Sequence, residues 1–199
     1  MIAAIVSLTL LAPMSAAAAQ APPAALSRAL SDAFGKKLEL LEKFDRDPKA
    51  KRTSVSVFES ELNSYVRYAL GEKVPRGLRD VRIILRDNRL ELRGLANLSE
   101  FAELKDKAAG AASLLSLLGG EVPVEVVANF KSDRGFGQFE LLSAQVGPVP
   151  LSASVVSDIV ARATVDASRP GGFDIRAPFR LPYSVKRIRP SAALAIIEY

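Results

Sequence analysis

The chain carries no histidine and no cysteine, and that double absence removes most of the usual chemistry at the outset. Without imidazole or thiolate there is no common general base, no Ser-His or Cys-His nucleophile pair, and none of the softer metal ligands. Serines are frequent, but no Ser-x-x-Lys spacing supplies an alternative base. Gly135-Phe136-Gly137 is a lone glycine pair between strand-like runs, not the strand-to-helix setting that cradles phosphate. The acidic pairs Asp45/Asp47 and Glu59/Glu61 lie in polar or helix-capping surroundings, where solvation accounts for them. The aromatic residues fall on apolar faces and offer no stacking platform for single-stranded nucleic acid. The residues therefore point to a non-enzymatic protein with no cofactor and no metal site.

What remains is charge and apolar surface. The formal charge is +5, the sequence pI is about 9.6, and hydrophobic residues make up 49% of the chain. Such a balance favours contact with something anionic. The basic residues concentrate in one place. Val81, Ile83 and Leu85 alternate with Arg82, Ile84 and Arg86, Asp87-Asn88 forms a two-residue turn, and Leu90 and Leu92 alternate with Arg89, Glu91 and Arg93. If Arg86 opposes Arg89, Leu85 meets Leu90 and Ile83 meets Leu92 on one face. Arg82, Arg86, Arg89 and Arg93 then share the other. Four guanidiniums on one face need solvent, carboxylates or an external anion. The face is either plainly solvated or a dock for anionic lipid headgroups, the latter contributing about 1 kcal/mol per basic residue close to a membrane.

The element that must organise these strands is Val55 to Leu70, which runs from a period-two segment, Thr53 to Val57, into an amphipathic helix. Phe58, Leu62, Tyr65, Val66 and Ala69 recur at helical spacing. Ser56 and Glu59 have capping-box spacing, and Gly71 is a stop. Before it, Leu26 to Phe44 predicts a helix that either packs on the domain or stands off as a flap, followed by the charged linker Asp45 to Arg52. After the arginine hairpin, Ser99 to Leu118 predicts a helix. Its Ala108 to Leu118 portion is small or apolar nearly all round, so it is buried on both sides or touches something greasy. Val122, Val124, Val126, Ala128 and Phe130 form one face of a strand that turns at Ser132 to Gly135 and returns through Val146, with a bulge near Leu141-Leu142. A short helix over Leu151 to Ala163, a strand over Phe173 to Leu181 and a last strand over Ala192 to Tyr199 complete the chain.

Residues 1–19 have the apolar core and Ala17-Ala18-Ala19 ending of a secretory signal, with cleavage expected after Ala19. Their apolar run is shorter than the roughly 20 residues a spanning helix needs. Residues 20–52 are read as an N-terminal amphipathic helix with its charged linker, and residues 53–199 as one α+β domain. A periplasmic or secreted location follows from that leader.

The segments VSVFESELNSYV, GPVPLS and FRLPYSVKRIRPS occur in this order between Thr53 and Tyr199. In them the chain resembles bacterial extracytoplasmic lipid-binding proteins of the LmeA and YpmS type, which are similar to the tubular lipid-binding, or SMP-like, group. The resemblance implies a long curved antiparallel sheet wrapped around a central helix, with a lipid-accommodating groove between them, and no catalytic motif to transfer. On that reading Phe58, Leu62, Tyr65, Val66, Ile83, Leu85, Leu104, Leu115 and Phe130 line the groove, with Arg82, Arg86, Arg89 and Arg93 at the membrane or headgroup side. The expected partner is a lipid or other hydrophobic ligand, with an anionic membrane surface behind it, and not nucleic acid. The competing expectation is an envelope structural or assembly factor that fills its own groove and binds a protein by strand addition at a sheet edge. A hydrolase of an envelope polymer ranks third, for want of histidine.

Overall fold

The computed structural model describes residues 25–47, 49, 53–71, 74, 77–97, 120–165 and 169–199. The expected leader and the expected helix over Ser99 to Leu118, with Leu104 and Leu115, lie outside them. The described residues form an α+β fold of three helices and two antiparallel sheets. None of these helices is long and apolar enough to cross a membrane.

Helix α1 spans Arg28–Arg46. Its N-cap Ser27 accepts the Leu30 N–H at 3.2 Å, and Lys43 and Arg46 occupy the last turn, where cations meet the negative end of the helix dipole. Strand β1 (Val55–Phe58) leads directly into α2 (Glu59–Tyr68). The helix begins two residues later than the Ser56 capping box predicts. Ser56 lies inside β1, and Glu61 reaches back to accept the Phe58 N–H at 2.9 Å. Strand pairing with the C-terminus decides this, because Val55 to Phe58 pair with Ile197 to Leu194 and hold Ser56 extended.

The large sheet contains β2 (Leu78–Arg86), β3 (Arg89–Asn97), β4 (Glu121–Asp133), β5 (Phe136–Val146) and β6 (Val149–Pro150) in that spatial order, with β7 (Phe179–Arg180) also paired to β5. Helix α3 (Ala153–Ala163) lies between β6 and β7 in the chain, capped by Ser152. The small sheet is β1, β9 (Leu194–Glu198) and β8 (Arg187–Ser191). The β2–β3 register is the expected one, with Leu85 opposite Leu90, Ile83 opposite Leu92, and Arg82 and Arg86 opposite Arg93 and Arg89. The expected bulge in β5 also forms. Val127 faces Ser143 while Ala128 faces Leu141, so Leu142 is the extra residue.

The strand predicted over Phe173 to Leu181 shrinks to Phe179–Arg180. Gly172 has a φ of 70°, Asp174 accepts the Arg176 N–H at 2.9 Å in a local turn, and Pro178 can donate nothing to a ladder. The C-terminal apolar run is the second arm of a hairpin whose turn residue Ala193 has a φ of 59°.

Two apolar clusters close the ends of the large sheet. The principal one gathers Leu41 and Phe44 of α1, Val55 and Val57 of β1, Phe130 of β4, Leu181, Val185 and Ile197, with Leu62 and Leu90 packed against it. Helix α1 is therefore part of the core and not a detached flap. The smaller cluster is Ala96, Val122, Val146 and Val149. Between Phe130 at one end of β4 and Val122 at the other, the inner face of the sheet is not filled in this way.

Candidate functional site: an apolar cavity under helix α3

Alternation along paired strands puts Ile83, Leu92, Val126, Ala128 and Leu141 on the same face as Phe130 and Val122. These residues, with Leu90 and Phe139, floor a cavity of about 700 Å³, and Ala153, Val156 and Val160 of α3 with Ile175 wall it from the other side. The size lies in the range of pockets that enclose drug-sized apolar ligands, roughly 300–1,000 Å³. Its lining is mostly apolar, with Glu91, Lys131, Glu140 and Arg176 as the charged members.

The position of α3 makes the space. A Cβ on Gly172 would lie 1.7 Å from the Ala161 carbonyl oxygen, so only glycine lets the turn before Phe173 run against the end of this helix. The buried Ser157 hydroxyl donates to Asp174 Oδ1 at 3.4 Å, and the Phe173 N–H donates to the Thr164 hydroxyl at 2.7 Å. Asp174 is held below the ordinary carboxylate value, chiefly by the backbone N–H of Arg176 and then by its guanidinium. The turn thus fastens α3 from one flank, and the sheet beneath keeps its distance.

The expected site residues do not come together. Ile83 lines this cavity, while Leu85 and Phe130 are buried beside it in the packed interior. Phe58, 52% exposed, ends β1 with Lys37 Nζ 5.4 Å from its ring centre. Leu62 joins the principal core, and the Tyr65 ring meets Phe34 of α1 at 4.9 Å. Val66 borders a separate space of about 160 Å³ with Leu26, Val74 and Leu78. The apolar face of α2 therefore meets α1 and the core, and does not meet the cavity.

What α2 presents to the large sheet is polar. Glu61, Asn63 and Ser64 are its buried residues. The Asn63 side chain exchanges both hydrogen bonds with the Ile83 backbone, and Glu59 accepts the Leu85 N–H at 2.8 Å. Both act on the outer edge of β2, where a strand would otherwise show unpaired groups. Lys37 of α1 closes the set, 2.6 Å from Glu61 and donating to the Ser56 carbonyl at 2.7 Å. Ser132 does the same for β8, its hydroxyl bonding both the N–H and the carbonyl of Ile188.

Two of the four arginines on this face are neutralised from within. Glu91 lies 3.9 Å from Arg86 and 3.3 Å from Arg93, and Glu125 is 2.9 Å from Arg93. Arg82 and Arg89 are exposed and make no ion pair among the described residues. The lining residues that sequence reasoning did not name include Leu90, Leu92, Val126, Ala128, Leu141, Val156 and Val160. Their alternation was visible, but which helix would cover that face was not.

Comparison with protein-family models, with curated proteins and with solved structures found no match to this chain.

Proposed function

We propose that the protein is a periplasmic or secreted, non-enzymatic binder or carrier of a lipid or similar hydrophobic ligand. The observation that carries this reading is the apolar cavity of about 700 Å³ between the middle of the large sheet and α3. Burying an alkyl chain contributes roughly 0.8 kcal/mol per methylene, so a chain occupying this space outweighs any single polar contact around it. Such a site takes many apolar ligands and discriminates weakly among them. The likeness to tubular lipid-binding proteins belongs to the same proposal, supported by the long antiparallel sheet and by an apolar space on its inner face. Asn63, Glu59 and Ser132 already occupy backbone groups of β2 and β8 that an added strand would use, so the competing reading, an assembly factor that binds by strand addition, is left with the outer side of β5 between its pairings with β7 and β6.

Native mass spectrometry of the purified protein should show co-purifying lipid, and the protein should take up a fluorescent fatty acid. Ala128→Phe places a ring in the cavity floor and should reduce uptake by tenfold or more without lowering the melting temperature. A ligand-free mass together with no uptake by the unaltered protein would sink the proposal, as would a filled variant that still takes up ligand normally.

A further inference from the structure

A second space lies at the loop between β7 and β8. The Leu181 N–H donates to the Gly135 carbonyl at 2.8 Å, and the Gly135 N–H donates to the Lys186 carbonyl at 2.9 Å. One residue of the β4–β5 turn thus ties down both ends of segment 181–186. Inside the segment, the Val185 N–H donates to the Pro182 carbonyl at 3.2 Å across Tyr183 and Ser184, whose φ angles are 57° and 54°. Two successive left-handed residues make a turn that Asn and Gly adopt cheaply and that Tyr and Ser do not. The surroundings over-determine it, with the Ser184 hydroxyl donating to Asp45 near the end of α1.

This loop borders a pocket of about 470 Å³ whose lining includes Asp45, Arg134, Phe136, Arg180, Ser184 and Lys186. Three cations there face one carboxylate, and that carboxylate is already engaged by a hydroxyl. Arg134 shares Asp133 with Arg187. Arg180 lies 6.0 Å from the centre of the Phe136 ring. Neither Arg180 nor Lys186 makes an ion pair among the described residues, and Phe136 is 50% exposed. Arg180 and Lys186 are two cations without a carboxylate partner among the described residues, and with the exposed ring of Phe136 beside Arg180 they suit an anion attached to something larger.

We propose that this pocket binds the phosphate group of a phosphate-bearing ligand. A phosphate offers several strong acceptor oxygens, enough to serve donors that line one pocket from a turn, a strand and a loop. The pocket is larger than a bare phosphate needs, and the ring of Phe136 supplies a surface for the group that carries it. The ligand is either a soluble phosphate ester or a phospholipid headgroup at a membrane, where cations beside an exposed aromatic residue also suit the interface. The proposal does not depend on the apolar cavity.

The test uses the full chain, its Arg180→Gln/Lys186→Gln variant, and an Arg28→Gln/Lys36→Gln control that loses the same charge from the exposed face of α1. Each is titrated calorimetrically with glycerol 1-phosphate, and floated with phosphatidylcholine vesicles with or without phosphatidylglycerol. The pocket variant should bind roughly tenfold more weakly, with the control within about twofold of the unaltered protein. Binding of glycerol 1-phosphate assigns the site to free esters, and binding to anionic vesicles alone assigns it to headgroups. Absence of both, a pocket variant that binds like the unaltered protein, or a control that loses as much would overturn the proposal. Both substituted residues are exposed, and should circular dichroism show the double variant unfolded, Lys186→Gln alone is read by the same criteria.

Discussion

Asn63 stands in for a β-strand opposite Ile83. Its amide nitrogen donates to the Ile83 carbonyl and its amide oxygen accepts the Ile83 N–H, each at 2.7 Å, while the same nitrogen also donates to the Glu59 carbonyl at 3.0 Å. Asn63 is 4% exposed, so no bulk water can replace it. The edge of β2 is sealed by a side chain of α2, and the two elements are registered against each other by that pair of bonds.

Removing the amide should therefore be costly. Asn63→Ala strands a backbone donor and an acceptor in a dry place, and is expected to cost about 2–3 kcal/mol in urea denaturation. Amide exchange at Ile83 should accelerate more than at Leu92 in the neighbouring strand. A loss below about 0.5 kcal/mol would mean that water or a neighbour satisfies the edge after all.

Lys37 and Glu61 should show a coupled response. Their side chains are 25% and 8% exposed, and Glu61 also accepts the Phe58 N–H that begins α2. Lys37→Met leaves a nearly buried carboxylate without its cation, and is expected to cost about 1–3 kcal/mol, less than a fully buried pair because Lys37 retains solvent contact. Adding Glu61→Gln removes the stranded charge and preserves an oxygen for the Phe58 N–H, so the double variant should recover part of the loss. Denaturation midpoints of the four proteins in a double-mutant cycle measure this. A double variant no more stable than Lys37→Met would refute the coupling.

Asp133 gives the fold a dependence on acid. Hydrogen bonds from Arg187 and then Arg134 hold its carboxyl below the ordinary value of 3.8. A depressed folded-state value means that the stabilisation is present above the unfolded value and is lost as pH falls through the folded one. The melting temperature of the unaltered protein should therefore fall below about pH 4, and that of Asp133→Asn should fall less steeply over the same window. Parallel curves for the two proteins would show that this exposed pair contributes nothing.

Much of the local structure was legible in the sequence. The β2–β3 hairpin could be registered residue by residue because Asp87-Asn88 leaves one short turn and each flanking strand has an apolar and a charged face. The bulge at Leu142 was visible as a break in alternation. The segment from Phe173 misled for the opposite reason: its alternation is real, but the glycine pair before it, the Asp174 turn and Pro178 outweigh a period of two. Ser56 misled because capping is a local preference and pairing with the C-terminal strand is a tertiary one.

By itself the sequence determined the two hairpins of the long sheet, its inner face and the poverty of catalytic groups, because each depends on residue type or on spacing within one segment. Tertiary structure decided which elements cover which surfaces. Helix α2 could not be seen to bury Glu61, Asn63 and Ser64, since Asn63 is buried by the edge of β2 arriving beside it, while Glu61 and Ser64 are buried against α1, where they meet Lys37 and the Ser27 N–H. The cavity likewise depends on α3 being held from the flank by the turn at Gly172, a contact that comes from the return of the chain and is written in no periodicity.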